Sequence, residues 1–322
     1  MTGSAGLPAF DDVVAAAARI AGTVHRTPVL TCRTLDELVR ARLHFKCENF
    51  QKVGAFKARG AANAVLSLAA EEAVHGVATH SSGNHGAALA WAAARRGIPA
   101  YVVMPRTSKA VKKAAVAGYG AHVVECEPTL AARETKLAEV VASTGAAFVH
   151  PYNDPRVIAG QGTAALEFCE QVHGLSAVLA PVGGGGLLSG TALAVQGCCP
   201  SATVWGVEPA AADDAYRSLR EGRIVPSLDP RTIADGLRTS LGSRTFAIIQ
   251  QHVRGIVTVS EEAIVAAMRL VWERMKIVIE PSSAVPLAAL LEGSLALAGQ
   301  RVGIILSGGN VDLEELPWLG GR

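Results

Sequence analysis

The sequence has no long apolar run, no cysteine pair at metal or redox spacing, no basic leader and no excess of one charge. Each absence excludes something. Alanine-rich residues 13–18 are interrupted by Arg19, well short of the ~20 apolar residues that cross a bilayer, so no membrane partner is expected. The opening stretch, MTGSAGLPAFDD, lacks the basic and apolar regions of a secretory signal, which points to a cytoplasmic protein. The six cysteines (Cys32, Cys47, Cys126, Cys169, Cys198 and Cys199) include no CxxC and read as reduced, buried thiols. Adjacent Cys198 and Cys199 do not readily bridge each other. Thirty basic residues against 28 acidic leave a formal charge of +2 with no stripe of Lys and Arg, so no nucleic-acid partner is expected. Only 18% of the 322 residues are charged and 50% are hydrophobic, which excludes a disordered chain and suits one large domain or two intimate ones.

What is present is an alternation. Short apolar runs at 43–47, 77–80, 100–104, 121–125, 147–149, 177–181, 203–207, 256–259 and 302–306 read as strands. Helical patterns separate them over 56–68, 86–96 and 133–143, with a further helix capped by Ser108 and reaching Ala117. Strands spaced by helices of this length predict an α/β fold built on parallel sheets with right-handed crossovers. Residues 76–153 hold a complete strand–helix series and are expected to form a small domain inserted in a large one, 1–75 plus 154–322. The chain stops soon after its last glycine turn, with no room expected for an appended regulatory domain.

Gly183, Gly184, Gly185 and Gly186 follow the apolar run VLAPV and precede a helical pattern. Successive glycines at a helix N-terminus leave backbone N–H groups uncovered and make an anion nest, with phosphate the obvious ligand. A dinucleotide fingerprint fails, because Leu188 or Ser189 stands where its last glycine is required. A P-loop fails because Leu187-Leu188 replaces its Lys-Ser or Lys-Thr. A flexible turn without a ligand is the plain alternative.

Lys57 lies between Phe56 and Ala58 at the start of a predicted helix. A lysine in apolar surroundings loses charge readily and becomes a candidate amine nucleophile. Alone it reads first as an ordinary helix-start lysine. Beside a phosphate nest it gains meaning, since a Schiff-base lysine and a glycine phosphate cup are what pyridoxal phosphate requires. The turn Thr79-His80-Ser81-Ser82-Gly83-Asn84-His85-Gly86 offers hydroxyls, an amide and free N–H groups suited to a carboxylate, although one Ser or Asn there could be a simple N-cap. His80 and His85 lack companions at zinc spacing. Ser307 begins the turn SGGN after the last strand, where a hydroxyl could meet a ring nitrogen as a neutral partner. Glu208, Asp213 and Asp214 suit a hard divalent cation or, equally, a helix N-terminus.

These segments together resemble the pyridoxal-phosphate enzymes of the tryptophan-synthase-β fold (fold type II), in the serine/threonine dehydratase and serine racemase branch. The resemblance spans nearly the whole chain, through HRTPVLT, FKCENFQKVGAFKARGA, THSSGNHG, IPAYVVMP, IAGQGTAALE, PVGGGG, VEPAAADD, TIADGL, LVWERMKIVIEPSSAV and ILSGGNVDL. It is most similar to serine racemase and the 3-hydroxyaspartate ammonia-lyases. The resemblance implies two parallel-sheet domains, the larger binding the cofactor and the smaller mobile, and a homodimer. It implies Lys57 as Schiff-base lysine with Phe56 against the ring, and Asn84 on the phenolic oxygen. Gly183 to Gly186 become the phosphate cup and Ser307 the pyridine-nitrogen partner. Ser81, Ser82, Asn84 and His85 would meet the amino-acid substrate, with Ser82 a second acid/base opposite Lys57. Glu208, the Ala212 carbonyl and Asp214 match a site for Mg²⁺, Mn²⁺ or Ca²⁺. Arg133 matches an arginine facing the active site, whereas on sequence alone it is an exposed helix residue. Tyr152, in His150-Pro151-Tyr152-Asn153-Asp154-Pro155, departs from the racemase pattern HPNQEP near the cofactor and bears on substrate preference.

The implied reaction is β-elimination of a β-hydroxy amino acid (L-serine, L-threonine or L-threo-3-hydroxyaspartate) to a 2-oxo acid and ammonia, with Lys57 removing the Cα proton. Racemisation of serine through Ser82 is the first alternative. A non-catalytic phosphate- or amino-acid-binding protein is the second.

Overall fold

The computed structural model describes residues 6–81, 83–108 and 110–319, with the side chain of Val111 excepted. Its described strands are β1 (Val29–Leu30), β2 (Arg42–Cys47), β3 (Val77–His80), β4 (Ala100–Pro105), β5 (His122–Cys126), β6 (Ala147–Phe148), β7 (Ala177–Pro181), β8 (Thr203–Pro209), β9 (Gly255–Val259) and β10 (Arg301–Leu306). Six form one sheet in the order β1-β2-β10-β7-β8-β9, and four form another in the order β5-β4-β3-β6. Every pairing is parallel except β1 with β2, which is antiparallel. The dipeptide β1 is too short to carry a hydrophobic period, so no sign of it is visible in the sequence.

Burial on both faces explains the unbroken apolar strands. Ile304 pairs with Phe45 of β2 on one side and Leu179 of β7 on the other, and all three are fully buried. Along β7, Ala177 and Leu179 pack into one apolar cluster, and Val178 and Ala180 into another. Alternate side chains thus serve opposite faces, each covered by helices. The four-stranded sheet lies within the stretch of chain between β2 and β7.

One helix start differs from expectation. Helix Leu130–Thr144 begins before Arg133, because the Thr129 hydroxyl accepts from Ala132 N–H at 3.1 Å and caps an earlier first turn. The Ser108 hydroxyl has no hydrogen-bond partner among the described residues, and the described part of the helix that follows runs Ala110–Gly118.

A buried ionic cluster anchors the helix Lys57–Leu66. Arg59 Nε donates to Glu48 Oε2 at 2.7 Å and Nη1 to Glu167 Oε1 at 2.8 Å. Lys46 Nζ donates to Glu167 Oε2 at 2.7 Å. Burial works against the Arg59 charge, but Glu48 and Glu167 outweigh it and hold its pKa above the ordinary value. The cluster ties β2 and helix Pro155–Gln171 to the residue two places beyond Lys57.

Candidate active site

The central strand β10 ends at Leu306, and the turn beyond it organises the site. Phe56 N–H donates to the Ser307 carbonyl at 2.9 Å, and Ala55 bridges Gly308 in antiparallel fashion. Lys57, the first residue of its helix, is thereby set at the carboxyl end of a parallel sheet, where such folds bind ligands. Its Nζ donates to the Pro151 carbonyl at 2.9 Å and stands 5.1 Å from the centroid of the Phe56 ring. Enclosure by protein lowers the Lys57 pKa to about 8, against a smaller opposing pull from Glu280. The result is an amine that can lose its proton near physiological pH, as a nucleophile or base requires.

The lysine and the glycine loop meet across the turn that holds Pro151 and Tyr152. A Cβ on Gly184 would lie 2.3 Å from Tyr152 Cγ, so no side chain fits there. Gly185 has φ +87, a left-handed conformation that favours glycine, and precedes the helix Gly186–Cys198. Thr245 Oγ1 donates to the Gly184 carbonyl at 2.8 Å and steadies the loop. N–H groups in the first turn of that helix have no intrahelical acceptor.

Two residues with no distinguishing mark in the sequence, Glu280 and Asn310, complete the arrangement. Asn84 Nδ2 lies 3.1 Å from both Glu280 carboxylate oxygens, and Asn84 Oδ1 accepts from Asn310 Nδ2 at 3.0 Å. Asn310 Nδ2 also donates to the Val53 carbonyl at 2.8 Å, next to the turn that leads into Phe56. Burial raises the Glu280 pKa to about 7, with the Asn84 hydrogen bond opposing the shift. Glu280 stands just before Pro281 and reads in sequence as a residue flanking a helix start; the Pro at N1 is its only signal. Ser307 is buried, with its Oγ 3.1 Å from Ser283 Oγ. Ser283 donates to the Gly308 carbonyl at 2.6 Å, which uses its one proton and leaves that of Ser307 for Ser283 or a ligand atom.

Histidines line the other side. His85 is buried with neither ring nitrogen hydrogen-bonded among the described residues, and burial, then Lys57, push its pKa well below the ordinary value. His150 Nδ1 accepts backbone N–H groups of Tyr152 and Asn153 at 3.3 and 3.0 Å, which places the proton of the neutral ring on Nε2. Burial, then His80 and Lys57, lower its pKa to about 4. The His150 and Tyr152 rings meet edge to face at 4.6 Å. Arg133 is half-buried, and its charge bears on both His80 and Tyr152. Ser81 Oγ accepts from Gly83 N–H at 3.3 Å within its turn. Ser82 lies outside the described residues.

A cluster of acids lies near enough for Asp214 to bear on Tyr152. Glu208 accepts from Ala215 and Tyr216 N–H at 3.2 and 2.9 Å. Burial and then the neighbouring Asp214 raise its pKa well above the carboxylate range, and burial lifts Asp214 to about 6. Asp214 Oδ2 is buried without a partner.

The family model described as "Pyridoxal-phosphate dependent enzyme" matches residues 20–308. The chain belongs to this family. It is 54% identical to the beta-hydroxyaspartate dehydratase of Paracoccus denitrificans, over 97% of this chain and 99% of that protein. It is 48% identical to the L-threo-3-hydroxyaspartate ammonia-lyase of Saccharomyces cerevisiae, over 97% of this chain and 96% of that one. The crystal structure of serine racemase from Dictyostelium discoideum superposes with a TM-score of 0.92 at 50% identity, covering 95% of this chain and 99% of that chain. The protein is an enzyme of the pyridoxal-phosphate ammonia-lyase kind, and its reaction is β-elimination. Its own residues fit that cofactor: a lysine of lowered pKa, a glycine loop closed to side chains at a helix N-terminus, the buried Ser307 hydroxyl and the unpartnered His85 ring. Among the described residues no helix is long and apolar enough to cross a membrane.

Proposed function

We propose that the enzyme eliminates water from a β-hydroxy amino acid that carries a second carboxylate, of the L-threo-3-hydroxyaspartate type, with serine and threonine as lesser substrates; the released enamine tautomerises to an imine, which takes up water to give the 2-oxo acid and ammonia. The observation that carries the choice is Arg133, which is half-buried, donates from Nε to the Thr129 carbonyl at 3.4 Å, and bears electrostatically on the site residues His80 and Tyr152. A guanidinium there offers a paired donor to a carboxylate on the β-carbon.

Pyridoxal phosphate, when bound, withdraws electrons from the substrate's Cα so that bonds at that carbon can break. Gly183 to Gly186 hold its phosphate, Lys57 its aldehyde carbon, Asn84 its phenolic oxygen and Ser307 its ring nitrogen. Lys57 Nζ, neutral once its pKa is lowered, takes the Cα proton. Ser81, Asn84 and His85 hold the α-carboxylate, and Phe56 and Tyr152 wall the site. Residues 76–153 form the smaller domain, which closes on the larger and excludes water. Glu208, the Ala212 carbonyl and Asp214 hold a divalent cation, with Mg²⁺ as the first choice. A homodimer and a cytoplasmic location belong to the same reading.

A keto-acid assay on hydroxyaspartate, serine and threonine tests the choice. Hydroxyaspartate should lead in kcat/KM, and Arg133→Ala should cost it about thirtyfold while sparing serine, as loss of a ~2 kcal/mol charged contact implies. Equal loss on both substrates removes the role given to Arg133. The 50% identity to a serine racemase favours a second reading, interconversion of serine enantiomers with Ser82 as second acid/base. D-serine formed from L-serine, and lost in Ser82→Ala, would support it.

A further inference from the structure

Helices Pro155–Gln171 and Gly186–Cys198 touch backbone to backbone. A Cβ on Gly190 would lie 2.5 Å from Gly162 N, and one on Gly162 would lie 2.7 Å from the Gly190 carbonyl oxygen. From that crossing, Cys169 comes seven residues after Gly162 and Cys198 eight after Gly190, about two turns along each helix. This register carries three thiols to one point. One Sγ from each of Cys169, Cys198 and Cys199 lies within 4.8 Å of the others. Cys169 is buried, the other two are half-buried, and all three are free thiols.

Three sulfur donors without an oxygen among them select a soft or borderline cation over Mg²⁺ or Ca²⁺. Zinc–sulfur bonds of about 2.3 Å put the sulfurs of one ion roughly 3.8 Å apart, so small rotamer shifts suffice to close the set. Partial exposure of Cys198 and Cys199 leaves a fourth position open to water.

We propose that Cys169, Cys198 and Cys199 form a three-thiolate site for a soft d¹⁰ cation of the Zn²⁺ class, distinct from both the cofactor and the acidic cluster. It stands at the far ends of the two helices that begin beside Tyr152 and in the glycine loop. The twelve helical steps from Gly186 to Cys198 set it about 18 Å from the loop. An ion there does not touch substrate. It binds the folded chain only and ties together the two helices that present the loop.

The test titrates reduced, metal-stripped holoenzyme with Cd²⁺ alone, and with Zn²⁺ in a second series. A sulfur-to-cadmium charge-transfer band should saturate at one ion per chain, be displaced by Zn²⁺ and accompany a rise in Tm. Cd²⁺ among the oxygen ligands of Glu208 and Asp214 gives no such band. Cys169→Ser should weaken binding by more than the ~100-fold that loss of an outer-shell partner brings. Because Cys169 is buried, Cys198→Ser combined with Cys199→Ser serves as the fold-safe variant with the same expected loss, and Cys32→Ser should change nothing. No band, a band that survives the combined variant, or formation of a disulfide among the three in place of metal uptake overturns the site.

Discussion

Asn84 Nδ2 reaches both carboxylate oxygens of Glu280 at 3.1 Å, although 196 residues separate the two in the chain. The contact brings a residue that follows β3 of the four-stranded sheet against one beside β10 of the six-stranded sheet. It also keeps a buried acid whose charge bears on Lys57.

Glu280→Gln should make stability less sensitive to pH. The Glu280 pKa rises from 4.5 to about 7 on folding, so between those values the folded chain keeps a proton that the unfolded chain gives up. Its contribution therefore falls as pH rises from about 4.5 to about 7 and stays low above that. The span corresponds to about 3 kcal/mol at most. Melting of cofactor-free wild type and variant at pH 5 and pH 8 should show the variant gaining relative stability at pH 8. A difference that does not change with pH would refute the assignment.

Lys57→Ala should abolish the visible absorbance of the bound cofactor and reduce turnover by roughly 10³-fold or more. In the wild-type chain, uptake of pyridoxal phosphate by cofactor-free protein should quicken as pH rises through about 8, where the Lys57 amine becomes neutral. Stopped-flow absorbance measures this directly, and a pH-independent rate would count against Lys57 as the group that titrates.

Gly184→Ala should weaken cofactor binding by tenfold or more, on the order of 1.4 kcal/mol, because the added methyl meets the Tyr152 ring at 2.3 Å. The fold should survive. Combining it with Tyr152→Ala should restore part of the affinity, as expected when the two side chains compete for one space. Equilibrium dialysis with pyridoxal phosphate gives the comparison.

Arg59→Leu should destabilise the chain by about 3–5 kcal/mol, since it strands buried Glu48 without its cation and leaves Glu167 with Lys46 alone. The loss should appear in Tm and, through the helix that carries Lys57, in cofactor retention. A variant as stable as wild type would show that the cluster contributes nothing net.

Millimolar Mg²⁺ should raise the Tm of metal-stripped protein, and Asp214→Ala should blunt the rise. At this site the charge of Asp214 raises the Glu208 pKa, and Asp214 Oδ2 is buried with no hydrogen-bond partner among the described residues. An unchanged melting curve would remove the cation from Glu208 and Asp214.

Much of this architecture is legible before folding. The runs at 77–80 and 177–181 coincide with β3 and β7, because strands buried on both faces are apolar throughout and glycine or proline bounds them. The glycine loop is equally plain, since four glycines in succession have few other uses. Glu280 and Asn310 are not legible. Each looks like ordinary punctuation beside a helix or turn, and only the crossovers of two sheets bring them to Asn84. The thiol cluster is hidden for the same reason: Cys169 and Cys198 are 29 positions apart, and helix register alone joins them.

The six-stranded sheet is completed from its middle. β10 pairs with β2 on one flank and β7 on the other, yet it is the last of the described strands along the chain. During synthesis β2 and β7 emerge with no hydrogen-bonding neighbour between them, and their inner edges stay open until residues 301–306 leave the ribosome. Such late, long-range pairing makes for slow folding and leaves intermediates with exposed strand edges. Ser307 arrives with that strand, and with it the anchor for Phe56. A nascent chain is therefore unable to assemble its cofactor site early, and truncation before Arg301 should yield an aggregating chain rather than a weakened enzyme.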